Sequence, residues 1–378
     1  MISYYDASTT GAATAIPCRR EARRGRRWLV AGGILAVALV GCSDPAGNSR
    51  PPRPFHLGFS PFPPRLEIPL LLQTIEMSSQ HADAALLPLT PPWKSMLAGT
   101  APGFLIRRDH LGIIELLRGR GLPVIVMIDA TDGLARDKEA PELRELGRSI
   151  AEQEVQDIYR EYAIAVDSIL HPEHLILAME TNLIRAIAPA ATYTGVRLAA
   201  NAAATAIQDL GSDTPLSISV QVEVAWGRLG GTSQFVGVAQ DIADFPFGVE
   251  LGLSSYPFLG GFTEPEDVPL DYYARIPEGR SLPLYVVEGG WTSASVGGIA
   301  STPERQARWI RRQMELADEA RAAGIFQISF TDLDVSGIPA PPGSSLPLFA
   351  HLGLVDTDFR AKPALAEWDA ALARPRRP

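Results

Sequence analysis

Apolar residues gather in short runs whose starts lie about 30 to 50 residues apart, with stretches of helical period between them. Eight runs are candidate strands: Phe55–Ser60, Ala84–Leu89, Val124–Asp129, Leu175–Glu180, Leu216–Val222, Val249–Ser255, Leu284–Glu288 and Ile325–Phe330. Most are apolar at consecutive positions, as expected of strands buried on both faces. Over Glu152–Leu170, Val155, Ile158, Tyr162, Val166 and Ile169 recur at steps of three and four and share one helix face. Ser301 and Glu304 have capping-box spacing ahead of a helix ending near Gly324. Phe104–Gly119 and Lys362–Ala373 are further helix candidates. Eight strands alternating with helices predict an α/β chain closed as a (β/α)8 TIM barrel over residues 55–378. The competing doubly wound sheet announces itself by a glycine fingerprint after the first strand. His56-Leu57-Gly58-Phe59-Ser60-Pro61 is not one.

The N-terminus has a different pattern. Arg19, Arg20, Arg23, Arg24, Arg26 and Arg27 precede an apolar run from Trp28 to Val40, too short for a comfortable permanent span. A basic region, a short apolar region and a small residue before a cut describe an export signal. Leu39-Val40-Gly41-Cys42 resembles the lipobox of a bacterial lipoprotein signal. That resemblance implies a signal peptide over residues 1–41 and a lipid on Cys42, with the protein held at the cell envelope. Ser43 stands where an inner-membrane retention signal has Asp, which leans toward the outer membrane. Residues 42–54 are rich in Pro, Gly, Ser and Asn and read as a flexible tether.

Removal of residues 1–41 would discard Cys18, leaving no cysteine except the lipidated one. A disulfide or thiolate metal site is then excluded. The remaining 337 residues carry 28 basic against 41 acidic groups, a formal charge of −13. Such a surface repels phosphate backbones, so no nucleic-acid partner is expected. It suits a neutral ligand such as a sugar, and a monomer is expected.

Polar residues at the C-terminal ends of barrel strands face the active site. The fourth strand runs into Glu180 and the seventh into Glu288. Two carboxylates converging about 5–5.5 Å apart are the minimum for retaining glycoside hydrolysis. One protonates the leaving oxygen while the other attacks the anomeric carbon.

At these residues the chain resembles the clan A retaining glycoside hydrolases, on their endo-β-galactanase and β-mannanase side. Supporting stretches are Ser254-Ser255-Tyr256-Pro257, Glu288-Gly289-Gly290-Trp291, Gly353-Leu354-Val355-Asp356, Lys362-Pro363-Ala364 and Trp368. The resemblance spans about Phe55 to Trp368. It implies Glu180 as acid/base, Glu288 as nucleophile and Tyr256 as the hydroxyl bonded to that nucleophile. In this scheme Glu180 needs the raised pKa, and Glu288 stays ionised. One position departs: the clan has Asn directly before the acid/base, where this chain has Met179. Asn182 is the candidate to replace its contact with the sugar 2-hydroxyl.

Trp93, Trp226 and Trp291 follow strands and are candidate stacking platforms for sugar rings. Gln221, Glu223, Asp129, Asp132, Asp332 and Asp334 are candidate hydroxyl binders. No metal or cofactor is expected: no histidine pair has zincin spacing, and no G-x-S-x-G elbow occurs. The function read here is retaining hydrolysis of β-linked poly- or oligosaccharides by a lipid-anchored enzyme. The alternative is a catalytically weak or inactive glycan-binding surface lipoprotein.

Overall fold

The computed structural model describes residues 51–229, 231, 233–338 and 344–377. The expected signal segment, Cys42 and most of the expected tether lie outside the described residues. Eight parallel strands close in sequence order: β1 (His56–Phe59), β2 (Ala84–Leu89), β3 (Val124–Ile128), β4 (His174–Ala178), β5 (Leu216–Gln221), β6 (Glu250–Ser255), β7 (Leu284–Gly289) and β8 (Gly324–Gln327). β8 returns to β1 with Leu57 opposite Ile325. This is the (β/α)8 barrel.

Each strand sends alternate side chains to opposite faces, and both faces are apolar. Outward residues such as Leu87, Val126, Leu177, Val220, Leu253 and Val286 pack in the main core. Inward residues Ala84, Leu86, Ile125, Met127, Ile176, Tyr285, Val287 and Phe326 form a separate plug inside the barrel. The plug needs Gly324, where a Cβ would lie 2.8 Å from the Tyr285 ring and 2.9 Å from that of Phe326. At the lower rim His174 Nδ1 lies 2.8 Å from Glu250 Oε2, on the face where a barrel carries stability rather than chemistry.

The crossover after β1 is α1 (Ile68–Ser78). After β2 come α2 (Trp93–Leu97), α3 (Pro102–Asp109) and α4 (Leu111–Gly119). The expected single helix over 104–119 is thus two helices, broken at His110 (φ −126°). α5 (Pro141–Glu145) and α6 (Gln153–Leu170) follow β3; α7 (Thr181–Ile187) and α8 (Ala190–Asp209) follow β4. Behind β5 lie α9 (Val222–Ala225) and α10 (Ala239–Asp244). Between β6 and β7 the chain makes only turns and the 3-10 turn Pro265–Asp267. α11 (Pro303–Ala320) follows β7, and α12 (Pro363–Leu372) closes the fold. The cap of α11 is Thr302, whose hydroxyl accepts from the Arg305 N–H at 3.2 Å, rather than Ser301. Ser301 instead donates to the Thr292 carbonyl at 2.6 Å.

The fold begins before Phe55. Arg53 is buried, its N–H donates to the Pro375 carbonyl, and its guanidinium pairs with Asp83 at 2.7 Å. The end of the expected tether is therefore part of the barrel. Among the described residues no helix is long and apolar enough to cross a membrane.

Candidate active site

Six strand ends bring chemistry to one mouth: Asp129 after β3, Glu180 after β4, Gln221 on β5, Tyr256 after β6, Glu288 on β7 and Asp332 after β8. Both glutamates sit at local irregularities. β4 shifts register against β5 between Ile176 and Ala178, and β7 shifts against β6 where Ser254 meets Glu288. Such shifts re-aim side chains. Past the first shift Met179 turns into the apolar plug. Glu180 takes the left-handed conformation (φ 48°, ψ 44°) at the start of α7, and its N–H donates to Ser219 Oγ at 2.9 Å. A non-glycine residue in that region costs on the order of 1–3 kcal/mol and persists where surrounding contacts enforce it.

The Glu-Gly-Gly-Trp stretch has a steric reading. A Cβ at Gly289 would lie 2.7 Å from the Ser255 carbonyl, so glycine lets β7 approach β6. Gly290 has φ 152°. Trp291 then turns away from the mouth and packs on Trp309 and Phe258.

Glu288 accepts a hydrogen bond from the Tyr256 hydroxyl at 2.7 Å. Its side chain keeps partial exposure while protein surrounds it. Enclosure, and then the charge of Glu180, push its pKa up to about 8; Arg136 and the Tyr256 hydroxyl pull the other way. The raised carboxyl is therefore Glu288. This runs against the expectation that Glu288 stays ionised.

Sequence reasoning missed Arg136, which sits between the carboxylates of the mouth. Its Nε donates to Glu180 Oε2 at 2.8 Å, and its Nη1 donates to Asp129 Oδ1 at 2.5 Å and Thr131 Oγ1 at 3.0 Å. The Arg136 and Glu180 side chains are 4% and 8% exposed, so water screens the pair little. Burial works against the Arg136 charge, but Asp129, Glu180 and Glu288 more than restore it. One cation thus faces three carboxylates, and the surplus negative charge favours a proton on Glu288. The only sequence signal was an arginine in the loop after an inward-facing strand-end Asp.

Other expected site residues lie elsewhere or are already engaged. Asn182 is clamped to β5: its Nδ2 donates to the Gln221 carbonyl at 2.9 Å and its Oδ1 accepts from the Gln221 N–H at 2.7 Å. It is not free to replace the missing asparagine. The Gln221 amide donates to Glu223 at 2.6 Å and accepts from the Val224 N–H at 2.9 Å. Trp93 and Trp291 are 0% and 1% exposed, so the platform expectation does not hold for them. Trp93 packs on Tyr159 behind the barrel wall. Trp226 is partly exposed, but Tyr272 stacks on it at 5.2 Å and the Arg275 guanidinium lies 5.0 Å from its ring centre. Asp332 is tied to Lys362 Nζ at 2.6 Å. Asp132 pairs with Arg144, and Asp334 lies on an exposed turn with Ser336. No group of three or more potential metal ligands occurs among the described residues.

No family model matches the chain, and no curated protein sequence matches it. Solved structures do. An exo-beta-1,4-mannosidase from Opitutaceae bacterium strain TAV5 superposes with TM-score 0.63 at 15% identity, over 85% of this chain and 60% of that one. A family 39 glycoside hydrolase from Bacteroides cellulosilyticus WH2 gives 0.57 at 16%, over 84% and 63%. Xylanase 10B from Thermotoga maritima gives 0.58 at 14%, over 84% and 95%. The chain thus spans under two thirds of the length of the first two. These likenesses establish a barrel of the kind glycoside hydrolases use.

Proposed function

We propose that the protein hydrolyses β-glycosidic bonds of a poly- or oligosaccharide with retention. The observation that carries this reading is the meeting of Glu180 and Glu288 in one enclosed mouth, with Tyr256 on Glu288. Glu288 attacks the anomeric carbon; Glu180 protonates the leaving oxygen, then takes a proton from water. In the resting site burial pushes Glu288 up to about 8, and Arg136 holds Glu180. The Arg136 contact must loosen for Glu180 to reach the leaving oxygen. β-Mannoside and xylan-type substrates are favoured by the names of the structural neighbours. We place the enzyme at the cell envelope, tethered through Cys42; an acyl adduct on Cys42 in the intact mass would check that.

The second reading is a glycan-binding lipoprotein without turnover. The buried Arg136–Glu180 pair and Met179 favour it, because both take the acid/base away from its usual equipment. A screen of β-mannan, xylan, β-glucan and β-galactan decides between them. Release of reducing ends from one polymer is expected. Glu288→Ala should abolish it, with azide restoring turnover and yielding a glycosyl azide of inverted configuration. Binding without reducing ends supports the second reading. Neither binding nor cleavage overturns the substrate class.

A further inference from the structure

Glu223 is a further carboxylate beside the mouth, and the hydrolytic scheme gives it no step. It is 0% exposed, at the exit of β5. Among the described residues no cation pairs with it; hydroxyls and amides do. Its Oε1 accepts from the Tyr272 hydroxyl at 3.0 Å and the Ser255 hydroxyl at 3.2 Å, and its Oε2 accepts from the Gln221 amide at 2.6 Å. The backbone N–H of Tyr256 also favours its charged form. Gly260 keeps the space above it clear: a Cβ there would lie 2.9 Å from Glu223 Cγ. These donors come from β5, from the last residue of β6 and from the 256–283 segment, which has no α-helix to stiffen it. Tyr256, whose hydroxyl rests on Glu288, is the next residue after Ser255.

We infer that Glu223 is a positioning residue: its buried carboxylate fixes the exit of β6 so that the Tyr256 hydroxyl meets Glu288. This rests on the reading of Glu288 as the nucleophile, but the contact itself does not. A buried carboxylate without a cation costs several kcal/mol unless hydrogen bonds replace its hydration, so a site with only a packing role would favour an apolar side chain. The donors gathered here instead hold one turn of backbone. Burial pushes Glu223 up to about 7, against the hydrogen bonds that favour its charge. Its acceptor capacity therefore changes near neutral pH.

The test uses the full chain labelled with carbon-13 at glutamate carboxyls. The Glu288 resonance is assigned by its loss in Glu288→Gln. Tyr256→Phe removes a donor that lowers the Glu288 pKa, so the titration midpoint should rise. Glu223→Gln should raise it in the same direction, and the double variant should raise it no further than Tyr256→Phe alone. With a glycoside that the wild type cleaves, Glu223→Gln should lower kcat roughly 3- to 10-fold, the scale of one misplaced neutral hydrogen bond. If Glu223→Gln does not fold, Ser255→Ala and Tyr272→Phe each remove one donor and should shift the midpoint less, in the same direction. An unmoved Glu288 midpoint in the folded variants overturns the inference, and so do additive shifts in the double variant. If the wild type cleaves no glycoside, the hydrolase reading falls while the carboxyl titration still decides the role of Glu223.

Discussion

Arg136 reorganises the chemistry of the mouth more than any other side chain. A retaining pair needs one proton for two carboxylates, placed on the acid. Here a buried guanidinium sits on Glu180, and burial pushes Glu288 up to about 8. Met179 adds a second departure, and its geometry bears on a simple experiment. It is 2% exposed and packs in the plug with Tyr285, Val287 and Phe326. Asparagine there would bury an amide among apolar side chains instead of reaching a sugar. Met179→Asn should therefore lower stability by about 1–3 kcal/mol and leave turnover no higher. Met179→Leu, which keeps volume and polarity, should cost less than about 1.5 kcal/mol. Thermal melts and turnover of the two variants check this; a more active Met179→Asn would mean that the residue reaches the substrate.

Strands were legible because their signal is local. Ala84–Leu89 is a run buried on both faces, and the structure begins and ends β2 at the same residues. The fourth and seventh runs read correctly as leading to Glu180 and Glu288, since a strand end needs only its own apolar stretch to show. Helix boundaries were less legible. His110 breaks 104–119 although both halves keep apolar residues, and Thr302 caps α11 although Ser301 has the better spacing to Glu304. The site's partners were hardest to see. Arg136 meets Glu180 from 44 positions away, and Tyr272 meets Glu223 from 49, both from segments without period. The tryptophans failed for a related reason. A large aromatic after a strand reads alike whether it lines the mouth or, as with Trp93, the back of the wall. Only the path of the following loop separates the two.

The enclosed carboxylates tie the stability of the whole molecule to pH. Glu288 rises from 4.5 to about 8 and Glu223 from 4.5 to about 7. A carboxyl whose pKa is raised by folding binds its proton more tightly in the folded state. Its contribution is complete below about 4.5 and is lost as pH climbs through the folded value. Two other groups act in the opposite sense at lower pH. Burial depresses His110 from 6.5 to about 4, so its contribution is lost as pH falls below about 6.5. Asp83, whose burial is outweighed by bonds from His56, Leu57 and Arg53, drops to about 2 and loses its contribution below about 3.8. Between about pH 4.5 and 6.5 the histidine offsets part of the glutamate effect. From about 6.5 to 7 both glutamates act unopposed by these groups, and from 7 to 8 Glu288 acts alone. The midpoint of thermal unfolding should therefore fall as pH rises from 6.5 to 8, by a loss on the order of 2–3 kcal/mol, since one proton per pH unit corresponds to about 1.4 kcal/mol. Glu288→Gln cannot ionise and should flatten most of that fall, so that it gains on the wild type from pH 6.5 to 8. Melting curves of the two proteins at half-unit steps check this. Parallel curves across the window would mean that folding does not raise the Glu288 pKa, and that the mouth stores no proton there.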